Sequence, residues 1–144
     1  MAISCEGVID YKIIPESCRK LDFIEFVNHL PTEKVVGKTL VMDNVSFHHS
    51  REVVEATVSK GCKLLYIPPY SPRYNAIEYA FSSIKRSYRA ICSDADILLA
   101  DPNDYQGAII LSIELCNDFK RIFRRIKKTV CSWTKGTRFV RYDE

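Results

Sequence analysis

At 144 residues, 47% hydrophobic and 27% charged, the chain has the size and composition of one ordinary globular domain. No apolar run approaches the roughly 20 residues that cross a bilayer, and the opening MAISCEGVID lacks the basic and apolar blocks of a signal peptide, so the expectation is an intracellular protein without a membrane partner. The six cysteines (Cys5, Cys18, Cys62, Cys92, Cys116, Cys131) form no CxxC pair and no zinc-like spacing, and are expected to be reduced and mostly buried. The net charge of +3 is uneven: residues 120–144 hold nine Lys/Arg against two acids, whereas residues 1–119 hold twelve against sixteen. A tail of +7 beside a body of −4 predicts a basic face suited to a polyanion, although such helices are often plain solvated surface.

In chain order, residues 2–14 read as two short strands joined around Glu6 and Gly7. Phe23, Phe26, Val27 and Leu30 recur at helical spacing until Pro31 ends the pattern. KTLVMD, entered through Gly37, is a short and nearly continuous apolar run, as expected of a strand covered on both faces. Ser50 is placed to cap a helix carrying Val53, Val54 and Val58, which stops at Gly61. CKLLYI is the next strand, and PPYSP breaks it with three prolines in five residues. From Asn75 a helix follows with Ile77, Phe81, Ile84 and Tyr88 on one side and Lys85, Arg86 and Arg89 on the other. DPND at 101–104 reads as a turn and helix start, and Ile109, Ile113, Cys116, Ile122, Phe123, Ile126 and Val130 mark one long final helix. The order β-β-α-β-α-β-α-α predicts an α/β layer structure with a mixed sheet, in a single domain over residues 1–144.

In such sheets sites collect at the carboxyl ends of parallel strands. Asp43 sits at one such end, and Glu78 lies in the first turn of the helix that follows the next strand. Two carboxylates brought together repel, unless one is protonated or a divalent cation sits between them. VMDNVSFHHS at 41–50, followed by LLYIPPYSPRYNAIEYAFSSIKR at 64–86, resembles the catalytic domain of mariner-like and related bacterial insertion-sequence transposases. These are DDE superfamily endonucleases with a ribonuclease H-like fold. The family typically places an Asp-Asn at a strand end, then a PPYSP-type loop and an Asn-Pro-Ile-Glu helix start; here thirty-four residues separate Asp43 from Glu78. The hairpin and the FIEFVNHL helix are also similar, so the resemblance covers essentially the whole chain. Ala76 replaces the family's proline and Arg73 its acid after PPYSP, and neither change removes a ligand.

The resemblance implies that Asp43 and Glu78 are the second and third metal ligands of a catalytic triad, with Asn44, His48 and Asn75 supporting the site. The family's first Asp lies on a central strand ahead of the hairpin, and this chain begins with the hairpin. The implied fold is therefore a ribonuclease H-like mixed sheet flanked by helices, truncated by that strand and by the DNA-reading helices before it. Asp10 is the one acid on the first two strands available as a substitute for the missing ligand, but it falls in the hairpin, which speaks against that role. Two-metal chemistry holds cations about 3.5 to 4 Å apart, so the implied cofactor, Mg²⁺ or Mn²⁺, is expected to bind weakly or not at all. The implied parent chemistry is metal-dependent hydrolysis and strand transfer of DNA phosphodiesters, impaired here, in a mobile-element protein that is nuclear if its host is a eukaryote.

Other readings stand beside these. Glu78 is three residues after Asn75, the spacing of a capping box, and Asp43 with Asn44 at a strand exit can be a turn former. Tyr70, Ser71, Pro69 and Pro72 are read as shaping the loop that positions Glu78, with direct DNA contact as the alternative, and Trp133 as anchoring the C-terminal tail, with base stacking as the alternative. Lys85, Arg86 and Arg89, with Arg121, Arg124, Arg125 and Lys128 in the basic run, are the candidate nucleic-acid contacts. The expected partners are DNA and a second copy or a full-length transposase. The alternative function is a nonenzymatic domesticated or remnant module that binds nucleic acid or protein.

Overall fold

The computed structural model describes residues 1–93 and 105–134, with side chains to residue 130. The DPND turn and the packing of Trp133 and Cys131 lie outside what is described. Strands β1 (Ala2–Ser4) and β2 (Gly7–Asp10) pair antiparallel, with Ile3 opposite Val8 and Ser4 opposite Gly7. The Ser4 hydroxyl closes the turn, accepting from Glu6 N at 3.1 Å. β2 stops at Asp10, short of the expected residue 14, because the Asp10 carboxylate accepts from Tyr11 N at 2.8 Å and turns the chain.

Helix α1 (Lys20–His29) starts where the Asp22 carboxylate accepts from Arg19 N at 3.0 Å, and a single turn, α2 (Thr32–Val35), follows Pro31. Strand β3 (Thr39–Met42), helix α3 (Arg51–Ser59) and strand β4 (Lys63–Tyr66) form a β-α-β unit. The two strands are parallel, from Thr39 beside Lys63 to Met42 beside Tyr66, and Ile67 N extends the ladder to Met42 O at 2.9 Å. The last turn of α1 is tied to α3 by Lys60 Nζ, which donates to Leu30 O at 2.9 Å. The Lys20–Glu52 ion pair at 2.7 Å joins the two helices from outside. It also holds the Glu52 carboxyl below the usual carboxylate range, chiefly through the Lys20 hydrogen bond.

Helices α4 (Ala76–Ser93), α5 (Tyr105–Glu114) and α6 (Phe119–Thr134) complete the chain. Ala80, Ile84, Ile113, Cys116, Phe119 and Ile122 form one core, against which Ile3 and Val8 of the hairpin pack. Phe26, Leu30, Val35 and Cys62 form a second, against which Ala2 and Ile9 pack. Because side chains alternate along a strand, the hairpin serves a different core with each face. Among the described residues no helix is long and apolar enough to cross a membrane.

Five expectations are corrected. The strands make two separate two-stranded sheets, β1–β2 and β3–β4, with no hydrogen bonding between them, in place of one mixed sheet. The β3–β4 unit is not covered on both faces, since the neighbouring Val41 and Leu65 are 49% and 54% exposed. The final helix is two helices: α5 closes at Leu115, and Asp118 O restarts the chain by accepting from Arg121 N and Ile122 N, both at 3.0 Å. Both helices present apolar side chains to the same core, so the stripe runs on across a break in the backbone. The inward face of α4 is Ala80, Ile84 and Ile91, with Phe81 39% exposed; α3 likewise buries Val53, Ala56 and Thr57, with Val58 exposed. Finally, Cys5, Cys18 and Cys92 are exposed, whereas Cys62 and Cys116 are buried, and all five are free. Burial pushes the Cys62 thiol up.

Gly61 enters β4 with φ +71°, and its carbonyl accepts from Gly37 N at 2.8 Å. A Cβ at Gly61 would lie 2.8 Å from Val36 Cγ2, whereas one at Gly37, with φ +72°, meets nothing within 4 Å. Left-handed backbone alone costs a non-glycine residue about 1–2 kcal/mol. Gly37→Ala is expected to lose about that amount and Gly61→Ala distinctly more, as read by urea denaturation of the two variants side by side.

Candidate active site

Asp43 is the first residue beyond β3, at the carboxyl end of the parallel pair. Its Oδ1 lies 2.8 Å from His48 Nδ1, a contact that is an ion pair only when the imidazole is protonated, and the side chains are 12% exposed at His48 and 43% at Asp43. The same nitrogen lies 3.3 Å from the Asp43 carbonyl oxygen with hydrogen-bond geometry. Oδ1 is buried and receives no hydrogen bond of good angle. The imidazole is thus pressed against the carboxylate while, with Nδ1 protonated, its N–H points at the backbone.

The reason His48 sits there is aromatic packing. The 3₁₀ turn Ser46–His49 follows β3, and the His48 ring lies 4.4 Å from Phe23 of α1 and 4.5 Å from Phe47. Tyr66, the last residue of β4, donates its hydroxyl to His48 O at 2.8 Å and stacks on His49 at 4.1 Å. His49 Nε2 in turn bonds Asn44 Oδ1. Asp43, Asn44, His48 and His49 are therefore one linked cluster, closed beneath by Phe23, Phe47 and Tyr66. Sequence reasoning missed those three aromatics as site residues. Phe23 read as core-facing helix and Tyr66 as strand, and the signal available was that Tyr66 ends its strand opposite the residue before Asp43.

The loop from Ile67 to Asn75 leaves β4 beside Asp43 and enters α4. Its short 3₁₀ turn, Pro72–Tyr74, is closed by Tyr74 N to Ser71 O at 3.0 Å and Asn75 N to Pro72 O at 2.9 Å. Asn75 Oδ1 accepts from Ile77 N at 3.3 Å, which satisfies one open donor of the helix start. The capping box that the spacing allows is not formed, because the Asn75 N–H already goes to Pro72. The Glu78 carboxylate is exposed and has no hydrogen-bond or ion-pair partner among the described residues.

The two carboxylates belong to different halves of the molecule: Asp43 extends the β3–β4 unit, and Glu78 opens a helix of the α4–α6 core. No hydrogen bond or shared partner links them among the described residues. A buried carboxylate oxygen without a directed donor and an uncommitted glutamate suit a hard divalent cation with oxygen ligands and water. The described residues contain no group of three or more His, Cys, Asp or Glu placed to hold a metal. Asp10 is engaged by its own turn with Tyr11. A hollow of about 470 Å³ beside β2, lined in part by Gly7, Asp10, Tyr11, Glu114 and Asn117, includes none of Asp43, Asn44, His48, Asn75 or Glu78.

The basic candidates are all exposed: Lys85, Arg86 and Arg89 on α4, and Arg121, Arg124, Arg125 and Lys128 on α6. On α6, Arg121, Arg124 and Lys128 lie on the side away from Phe119 and Ile122, which are buried. Arg125 is also held in place, its guanidinium carbon 4.7 Å from the Tyr79 ring centre on α4.

A search of curated proteins finds no match to the chain. The family model described as DDE superfamily endonuclease matches residues 1–98, which takes in the hairpin, the Asp43 cluster, the proline-rich loop and Glu78, and stops before α5 and α6. Since the match spans more than half of the chain, this protein belongs to the DDE superfamily endonucleases.

Proposed function

We propose that the chain is a mariner-like, transposase-derived domain that retains the Asp43 and Glu78 part of a metal-dependent phosphodiester-cleaving site and engages DNA through its basic helices. The observation that supports this most is the pairing of two features. Asp43 is fixed at the strand end by a packed histidine, and Glu78 is left out of the helix cap that its spacing would otherwise explain. A bound Mg²⁺ or Mn²⁺ would supply charge neutralisation and Lewis acidity at a phosphodiester, and Asp43 and Glu78 are the residues that would hold it. His48 would keep the Asp43 carboxylate in position, Asn44 would keep the neighbouring turn closed through His49, and Asn75 would set the start of the Glu78 helix.

A second reading is a binding module without catalysis, and the exposed Val41–Leu65 face of the β3–β4 pair favours it, since that face can receive a second copy or a larger transposase. Nicking of labelled supercoiled DNA in Mg²⁺ or Mn²⁺ separates the two. Trace nicking, absent from Asp43→Asn and Glu78→Gln, is the expected outcome; nicking untouched by both substitutions would sink the assignment of the site. Mn²⁺ binding followed by electron paramagnetic resonance should weaken in the same two variants, independently of any cleavage.

DNA binding through α6 carries its own expectation. Each phosphate contact adds about 0.9 to the slope of log K against log salt on duplex DNA. Arg121→Gln and Arg124→Gln are each expected to lower that slope by about 1 and to weaken all sequences alike, as measured by fluorescence anisotropy over a salt series. An unchanged slope in the double variant would remove α6 from the interface.

A further inference from the structure

Tyr70 is the one described non-glycine residue with a left-handed backbone, at φ +54°, and its side chain is fully exposed, at 104% of the reference value. Among the described residues no hydrogen bond or ring contact of the Tyr70 side chain offsets that conformation. In the same loop the Arg73 guanidinium carbon lies 5.0 Å from the Tyr74 ring centre. Arg125 of α6 lies over Tyr79 of α4 at 4.7 Å, and the Tyr79 hydroxyl donates to Arg73 O at 3.4 Å, which joins the helix to the loop. Both arginines are exposed residues. Aromatic rings alternating with guanidinium groups are thus assembled beside the start of the Glu78 helix.

We infer that this loop and Arg125 form a platform on which an unpaired nucleotide of a DNA strand end stacks against Tyr70, its phosphates met by Arg73 and Arg125. The inference rests on the DNA reading above and deepens it, from contact with a duplex backbone to recognition of a single-stranded end. In a duplex the faces of the bases are covered by their neighbours, and the outer surface offers phosphates, for which a projecting phenol ring has little use. An unpaired base presents a face that stacks on an aromatic ring whatever its sequence. Arginines already resting on tyrosine rings lose less rotamer freedom when they take up a phosphate than free ones do. The backbone that follows Tyr70 is closed by Tyr74 N to Ser71 O and Asn75 N to Pro72 O at 3.0 and 2.9 Å, so the loop that presents the ring is held in a defined turn.

The test compares anisotropy of a blunt duplex with that of the same duplex carrying a short single-stranded overhang, at one salt concentration. The overhang is expected to bind more tightly. Tyr70→Gly removes the ring and suits the left-handed backbone, so the loop keeps its shape. It is expected to weaken the overhang complex by about tenfold and leave the blunt duplex unchanged. Tyr70→Phe should restore the difference, since stacking needs the ring and not the hydroxyl. Equal weakening of both probes by Tyr70→Gly, or no weakening of either, would overturn the inference. Duplex binding by the unaltered chain without preference for the overhang overturns it alone, whereas failure to bind either probe overturns it together with the DNA reading.

Discussion

The two faces of the β1–β2 hairpin hold this molecule together. Ile3 and Val8 pack into the core built by α4, α5 and α6, while Ala2 and Ile9 pack into the core of α1, α2 and the start of β4. No strand ladder crosses from one sheet to the other, so the union rests on side-chain burial and not on backbone hydrogen bonds. Burying an isoleucine or valine fully stabilises by about 1.5–3 kcal/mol, and these hairpin residues are only partly buried. The connection is therefore modest in energy but decisive in geometry. Asp43 belongs to one side of it and Glu78 to the other, and their relation is set by how the hairpin seats the two cores.

Each half of the site is, by contrast, determined locally. On the Asp43 side the order of events runs from packing to polarity. Phe23 and Phe47 enclose the His48 ring, Tyr66 anchors the His48 carbonyl, and the imidazole is then left with one place for Nδ1, against Asp43. Aromatic contacts of this kind contribute about 0.5–1.5 kcal/mol each beyond area burial, enough to hold a ring that a lone hydrogen bond would not. The carboxylate is presented by a rigid support, while Oδ1 keeps an unfilled acceptor position. A polar atom so placed is costly in a fold with no use for it.

The β-α-β unit and the helices were legible because apolar runs and 3.6-residue stripes encode them directly. Sheet pairing was not legible, since the period of a strand says which face is buried and nothing about which strand lies beside it. The break between α5 and α6 was hidden for a similar reason: Ile113 and Cys116 before it and Phe119 and Ile122 after it all enter one core, so the pattern that signals a helix continues where the backbone does not. Asp43 and Glu78 could be singled out through their interval and the proline-rich loop between them. The aromatic support of His48 could not, because Phe23 falls on a helical stripe and is indistinguishable there from ordinary core. Cys5, Cys18 and Cys92 show the limit of residue-type averages, as cysteine is usually buried and these are not.

The loop between the two halves is built without help from either carboxylate. Pro68, Pro69 and Pro72 restrict the backbone, and the donors of Tyr74 and Asn75 are satisfied by Ser71 and Pro72 within the loop itself. Asn75 then starts α4 without help from Glu78. Glu78 consequently contributes nothing that the described contacts of the loop or of the helix start require, and Asp43 is held by a cluster that contains no part of α4. Either carboxylate could be replaced with little damage to its surroundings. Folding alone does not demand the pair, and the proposed metal-holding role of Asp43 and Glu78 is a reason for both to be present.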